Sequence, residues 1–170
     1  ETSGNVQLDH LLGAQVHLLP PGTDRDGALR RMASALKKSG RTPYVIPSGG
    51  SNATGALGYV ACAEELEAQA DTDGERIDYL VHATGSGGTQ AGLIAGFQAI
   101  ASQTGVLGVD ITAHAADLRG KVSAIAKDTL ARLGGGDRFS KDALQIVEGY
   151  AGGAYGMPTE EMRAAVEREL

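Results

Sequence analysis

The strand–turn–helix junction at residues 77–101 constrains the fold more than any other part of the sequence. Residues 77–83 are an apolar run typical of a buried strand, residues 84–89 form a glycine-rich turn, and residues 90–101 follow helical periodicity. A strand that passes directly into a helix is the building unit of α/β folds. The junction therefore predicts a mainly parallel sheet with helices packed against it.

The rest of the chain repeats this alternation of helix and strand. The predicted helices cover residues 5–12, 24–38, 56–70, 90–101, 115–133 and 141–150, with a last helix after residue 159. The predicted strands cover residues 14–19, 44–46, 77–83 and 106–111. Short strands that alternate with helices of this length predict an α/β fold around a mainly parallel sheet.

Composition limits the classes of function. Hydrophobic residues make up 42% and charged residues 21% of the chain, which is typical of a soluble globular protein. The net charge of −6 and the absence of Trp argue against a general nucleic-acid binder. No apolar run approaches the ~18 residues that a membrane helix requires, so we expect no membrane partner. The single cysteine, Cys62, cannot form an internal disulfide, which favours a reducing compartment.

The histidines give no metal signal. The four of them, His10, His17, His82 and His114, lack the spacing of a known metal-binding pattern, so no metal is predicted. His82 lies late in the predicted strand, near the glycine-rich turn, where it could touch a bound group. We interpret it instead as a core histidine with satisfied hydrogen bonds.

The turn at residues 84–89 has the features of a phosphate site. Its backbone N–H groups share one concavity, and the start of the following helix adds a partial positive charge. Ser86 and Thr89 can add hydroxyl donors. No Walker lysine ends the turn, and the dinucleotide pattern fails because Gln90 stands where its third glycine is required, with Asp110 only a loose candidate for its acidic residue. The residues alone leave open a site for an unidentified phosphate or an ordinary tight turn.

Glycines also recur within the helix that follows. Gly88, Gly92 and Gly96 are four residues apart and therefore share one helix face. We expect this stripe, which carries no side chains, to bring the helix close to the sheet.

A second glycine-rich junction covers residues 47–55, between a predicted strand and a predicted helix. Its Asn52 carries an amide that can bind a carboxylate or a hydroxyl. If both preceding strands are parallel, the two loops face one crevice at the carboxyl edge of the sheet, where α/β proteins bind ligands. An ordinary loop rich in turn-forming residues remains the alternative.

Three segments of the sequence resemble the D-cysteine desulfhydrase/ACC deaminase family. They are residues 43–60 (PYVIPSGGSNATGALGYV), residues 82–93 (HATGSGGTQAGL) and residues 155–160 (YGMPTE). The segments occur in the order that the family has, and the resemblance spans essentially the whole chain. The family that the chain resembles includes members similar to cysteate sulfo-lyase.

The resemblance implies a fold and a cofactor. The family has the fold type II architecture of pyridoxal-phosphate enzymes, a three-layer α/β fold like that of the tryptophan synthase β chain, with two α/β domains and the cofactor between them. Residues 1–45 are then part of the smaller domain and residues 46–170 part of the larger domain, which binds pyridoxal 5'-phosphate. A homodimer in the cytoplasm, acting on a small amino acid, is implied as well.

The resemblance also assigns roles to residues. The cofactor phosphate is expected at Thr84, Gly85, Ser86, Gly87, Gly88 and Thr89. The loop beside the substrate is expected to consist of Ser48, Gly49, Gly50 and Asn52. Catalytic roles fall on Ser51 and Tyr155, with Tyr155 close to the cofactor or the substrate.

One departure from the family pattern is the missing cofactor lysine. In the family this lysine lies in an Asn-Lys-x-Arg-Lys context, which is absent here, as is the later Asp-Pro-Val-Tyr segment. The lysines of this chain lie in helical or charged surroundings and are expected at the surface: Lys37, Lys38, Lys121, Lys127 and Lys141. We therefore expect a central piece of a longer chain that does not catalyse by itself.

The leading functional hypothesis is D-cysteine desulfhydrase, which converts D-cysteine to pyruvate, sulfide and ammonia. L-Cysteate sulfo-lyase, which releases sulfite, is a close alternative. ACC deaminase fits less well because its counterpart of this loop carries a cysteine where Gly50 stands. A different class of function is a non-catalytic module that binds a phosphorylated metabolite, and an NAD-binding domain ranks third.

Overall fold

A computed structural model describes residues 4–112, 115–153 and 156–169 of the chain, which divides into two units between Ile46 and Pro47. The first unit contains helices α1 (Gly4–Leu11) and α2 (Arg25–Lys38). Asp24 caps α2, because its Oδ1 accepts a hydrogen bond of 2.9 Å from the Gly27 N–H group.

Two predicted strands of this region are wrong. Residues 14–19 and 44–46 form no strand, and Leu18 and Ile46 are 81% and 65% exposed. A strand exists only when a neighbouring strand pairs with its backbone groups. Every strand in the described part of the chain belongs to the second unit, so an apolar run alone did not suffice here.

The second unit is an α/β assembly around a parallel sheet. Its elements are α3 (Ala53–Asp73), β1 (Tyr79–Thr84), α4 (Gly88–Ala99), β2 (Gly105–Asp110), α5 (Ala115–Arg132), β3 (Gln145–Val147) and α6 (Glu160–Glu169). The three strands are parallel in the order β1-β2-β3, and Thr84 pairs with Asp110 at the carboxyl end. The predicted α/β class is thus confirmed.

The core of this unit lies between the sheet and helices α3, α4 and α5. Its buried members are Ala63, Ala91, Leu93, Ile94, Phe97, Val106, Leu118, Val122, Ala126 and Ile146. On the opposite face of the sheet, Tyr79 and Val81 are each 60% exposed. Among the described residues, no helix is long and apolar enough to cross a membrane.

The helix predicted at residues 141–150 is wrong. A short 3-10 turn, Lys141–Ala143, is followed by β3, and Ile146 pairs with Gly108 and is 7% exposed. Periodicity cannot separate a short buried strand from a helical segment, and the β-branched pair Ile146-Val147 favours the strand.

The glycine stripe of α4 faces α3 and not the sheet, which corrects the prediction. A Cβ added to Gly92 would lie 2.4 Å from the Ala56 carbonyl oxygen, and one added to Gly96 would lie 2.7 Å from Ala63 Cβ. The absent side chains therefore allow the two helices to approach backbone to backbone.

Candidate functional site

The start of α4 has no side-chain cap. The chain leaves β1 at Thr84, turns through residues 85–87 and enters the helix after Gly87, which has a left-handed φ of +87°. The first N–H groups of a helix have no acceptor within the helix, and Gly87 supplies none. These donors are therefore available to a ligand, as a phosphate site requires.

Packing from two sides supports this turn. A Cβ added to Gly87 would lie 3.0 Å from Val122 Cγ2 of α5, and one added to Gly85 would lie 3.4 Å from Ile111 Cδ1. Thr84 is buried at 2% exposed, whereas Ser86 is exposed. The turn is thus held on a packed base while the Ser86 hydroxyl remains accessible.

The asparagine of the second loop caps the helix that follows it. Asn52 Oδ1 accepts hydrogen bonds from the N–H groups of Thr54 at 3.0 Å and Gly55 at 2.9 Å, and it thereby caps α3. The amide oxygen is occupied, so the NH₂ group is the part that can donate to a ligand. The loop itself curls through Gly49 and Gly50, both in left-handed conformation.

The two loops touch each other through reciprocal contacts. Ser51 Oγ donates to Ser86 Oγ at 2.7 Å. A Cβ added to Gly49 would lie 2.5 Å from Ser86 Oγ, and one added to Gly88 would lie 2.7 Å from Ser51 Oγ. The structure therefore brings together residues predicted for the phosphate and for the substrate, although no paired strand precedes the second loop.

An apolar cleft of about 550 Å³ opens at the carboxyl end of β2. Its lining residues are Ile111, Tyr150, Ala151, Gly152, Gly156, Met157, Pro158, Thr159 and Met162. Ile111 also packs against Gly85, so the cleft begins beside the turn at residues 84–89. The predicted catalytic Tyr155 lies outside the described residues, as does His114.

The sequence analysis did not single out Ile111 and Tyr150, which line this cleft. The available signal was their position just after β2 and β3, because ligands of parallel sheets bind at the carboxyl ends of the strands. Asp110, at the end of β2, is 2% exposed, and its Oδ1 accepts 2.7 Å hydrogen bonds from the Thr112 N–H and hydroxyl groups. This use of Asp110 to close its own turn argues against a role in binding the ribose of NAD.

His82 has only one of its two ring nitrogens paired. Nδ1 lies 2.9 Å from the Ala83 carbonyl oxygen, while Nε2 is buried without a partner among the described residues. Burial lowers the pKa of the His82 imidazole, and the hydrogen bond to Ala83 opposes this effect only in part. The imidazole is therefore neutral near pH 7, and the predicted core histidine is half satisfied.

The lysines stand at the surface, as predicted from their surroundings. All five, Lys37, Lys38, Lys121, Lys127 and Lys141, are exposed. The charged group of each of these lysines is therefore in contact with solvent.

Known proteins similar to this chain agree on one family. A family model described as "Pyridoxal-phosphate dependent enzyme" matches residues 1–169. A 1-aminocyclopropane-1-carboxylate deaminase of Mesorhizobium japonicum is 38% identical, and the match covers 96% of this chain and 49% of that protein. A D-cysteine desulfhydrase of Serratia proteamaculans is 38% identical, and the match covers 98% of this chain and 49% of that protein.

A solved structure supports the same relation. A crystal structure of an ACC deaminase homologue matches with a TM-score of 0.81 at 28% identity, over 99% of this chain and 52% of the other chain. The chain thus spans about half the length of the curated relatives it matches.

Proposed function

Because the chain belongs to the family of pyridoxal-phosphate-dependent enzymes, we propose that it binds the phosphate of that cofactor through residues 84–89 and borders the substrate through residues 48–52. The observation that carries this proposal is the uncapped start of α4 beside an exposed serine hydroxyl. A phosphate dianion accepts hydrogen bonds, and the turn offers backbone N–H groups together with the hydroxyls of Ser86 and Thr89. The residues present therefore fit the cofactor's phosphate.

The cofactor, when bound, supplies an electron sink for breaking bonds of an amino-acid substrate. The residues of this chain supply position and hydrogen bonds. Ser51 and the NH₂ group of Asn52 stand on the loop proposed for the substrate, and Ser51 reaches the phosphate turn directly. The apolar lining around Ile111 and Met157 favours exclusion of water from the neighbouring cleft. We propose Tyr155 as a catalytic group on the substrate side.

For the substrate we propose D-cysteine, which reacts with water to give pyruvate, sulfide and ammonia. The residue at position 50 supports this choice over ACC deaminase, because the ACC deaminase counterpart of this loop carries a cysteine where Gly50 stands. L-Cysteate, with release of sulfite, is the second candidate. Relatives named for either D-cysteine or ACC reach 38% identity, so identity does not separate these substrates.

The oligomeric state, the location and the activity of residues 1–170 by themselves are further parts of the proposal. The family resemblance supports a homodimer in the cytoplasm. Residues 1–170 alone are proposed to be inactive, because none of the five lysines stands in the family's cofactor motif.

An absorbance titration of the full-length protein with pyridoxal phosphate tests the function. We expect a visible band that D-cysteine perturbs, with sulfide and pyruvate formed in equal amounts. If the protein instead forms sulfite from L-cysteate, or 2-oxobutanoate from ACC, that substrate replaces D-cysteine in the proposal. If no band forms and inorganic phosphate still raises the melting temperature, the chain is a binding module and the enzyme proposal fails.

A further inference from the structure

We propose that the hydroxyl groups of Ser51 and Ser86 form a relay that couples the phosphate site to the substrate loop. In this relay each serine is a positioning residue for the other loop. The inference rests on the proposed function for the identity of the two sites. It goes beyond that function because it makes the affinity of one loop depend on a residue of the other.

The reciprocal contacts are the first support. Ser51 and Ser86 are 35 residues apart in sequence, and their Oγ atoms lie at 2.7 Å. Each loop has a glycine where the serine of the other loop approaches, because an added Cβ would lie 2.5 Å from Ser86 Oγ at Gly49 and 2.7 Å from Ser51 Oγ at Gly88. A chance contact between two loops does not require an empty position on both sides.

Gly88 shows that the contact with Ser51, and not the backbone conformation, requires a glycine at this position. Gly49 has a φ of +68°, so its backbone alone favours glycine. Gly88 lies in the first turn of α4 and is not among the glycines with positive φ, so its backbone would accept alanine. The approach of Ser51, with Cα at 3.1 Å from the added Cβ, is what leaves no room for a side chain there.

The single proton of each serine hydroxyl determines the direction of the hydrogen bonds in the relay. A serine hydroxyl has one proton to donate and two lone pairs to accept with. A phosphate can only accept from Ser86, so Ser86 must then accept the hydrogen bond from Ser51. The Ser51 proton is committed in that arrangement, and Ser51 meets the substrate as an acceptor. Without an anion the direction can reverse, and Ser51 can donate.

The test measures the affinity of inorganic phosphate by calorimetry on the full-length protein stripped of its cofactor. We expect Ser51→Ala, although it lies outside the phosphate turn, to weaken phosphate binding about 3- to 10-fold, the usual worth of one hydrogen bond. The matched control is Ser34→Ala on α2, which removes an exposed hydroxyl and should leave the affinity unchanged.

A second pair of variants distinguishes a relay from a loss of structure. In a Ser86→Ala background, Ser51→Ala should have no further effect on phosphate affinity, because the link is already broken. In a Ser86→Thr background, which retains a hydroxyl, Ser51→Ala should weaken binding again. With saturating pyridoxal phosphate, Ser86→Ala should also raise the KM for D-cysteine more than it lowers kcat.

Three outcomes decide the matter. The relay is overturned if Ser51→Ala stays within twofold of the parent, or if the effects of Ser51→Ala and Ser86→Ala are additive. If Ser86→Ala weakens phosphate binding and Ser51→Ala does not, the phosphate site stands and only the relay fails. If the parent protein does not bind phosphate at all, the proposed function and the relay both fail.

Discussion

The glycine-rich loops before α3 and α4 differ in what occupies the start of the helix. In the first loop, Asn52 Oδ1 already accepts from two backbone N–H groups of α3. In the second, Gly87 offers no side chain to the first turn of α4. Similar composition therefore produces one loop that satisfies its own helix and one that leaves donors for an external acceptor.

The largest effect is expected when the open start of α4 is given an acceptor side chain of its own, as the start of α3 already has. Ser86→Asp places a carboxylate beside the first turn of α4, where it competes with phosphate and repels it. We expect phosphate affinity to fall at least about 100-fold, since two like charges a few ångströms apart near a surface cost several kcal/mol. Calorimetry with inorganic phosphate measures the loss, and Ser34→Asp controls for the added charge. An unchanged affinity would mean that phosphate binds elsewhere.

A smaller effect is expected from forcing the two loops apart. Gly88→Ala puts a methyl group 2.7 Å from Ser51 Oγ, so we expect the free energy of unfolding to fall by about 1–3 kcal/mol. Gly58→Ala on α3 is the matched control, because an added Cβ there meets nothing within 4 Å and alanine favours a helix. Urea denaturation of both variants gives the values, and equal stabilities would contradict the interlocked geometry.

The capped loop can be tested by removing its cap. Asn52→Ala leaves two N–H groups of α3 without their acceptor, so the free energy of unfolding should fall by about 1 kcal/mol. Asn52→Asp should restore most of it, since a carboxylate oxygen accepts the same hydrogen bonds. Thermal and urea unfolding measure both variants. A neutral Asn52→Ala would show that the first loop is as open as the second.

The smallest expected effect is a pH dependence of the free energy of unfolding, caused by His82 in the strand that precedes the open loop. Burial lowers the pKa of His82 below the ordinary value of 6.5, so in the window just below that value the unfolded chain binds more protons than the folded one. The free energy of unfolding should therefore be fully retained above pH 6.5 and should decrease as pH falls below it. His82→Gln should flatten this slope.

A second titrating group, Glu67, also contributes to the pH dependence of stability, and its contribution must be distinguished from that of His82. Hydrogen bonds from Ser102 and Thr104 lower the pKa of Glu67 from its ordinary 4.5, so the contribution of this carboxylate is lost only at more acidic pH. The difference between the parent and His82→Gln unfolding curves from pH 5 to pH 7.5 therefore reports on His82. If parent and His82→Gln curves are parallel there, His82 is not held neutral by burial.

Local signals predicted the parts of the fold that depend on local interactions. The strand at residues 77–83, its turn and the next helix are present within a few residues, because strand, turn and helix are contiguous in sequence. Residues 14–19 failed as a strand since pairing requires a distant partner. The glycine stripe was found from its spacing, but the side of α4 that it faces depends on where α3 packs.

The candidate site shows the same division. The open start of α4 follows from the sequence of its turn, and Asn52 before an apolar helix already carried the signal of an N-cap. The contact between Ser51 and Ser86 could not be predicted, because it depends on how two helices 35 residues apart are juxtaposed. Ile111 and Tyr150 line the same cleft because β2 and β3, which they follow, are parallel neighbours in the sheet.

The glycine contacts between α3 and α4 have an electrostatic consequence. Gly88 lies at Ser51, Gly92 at Ala56, and Gly96 at Ala63, so the contacts advance along both helices in the same direction. The two helices therefore run parallel, and their dipoles lie side by side with both positive ends at the serine pair. Each end is equivalent to roughly half a positive charge, and such parallel dipoles repel each other. An anion placed at this point offsets that repulsion with the field of both helices, in a loop that contains neither lysine nor arginine.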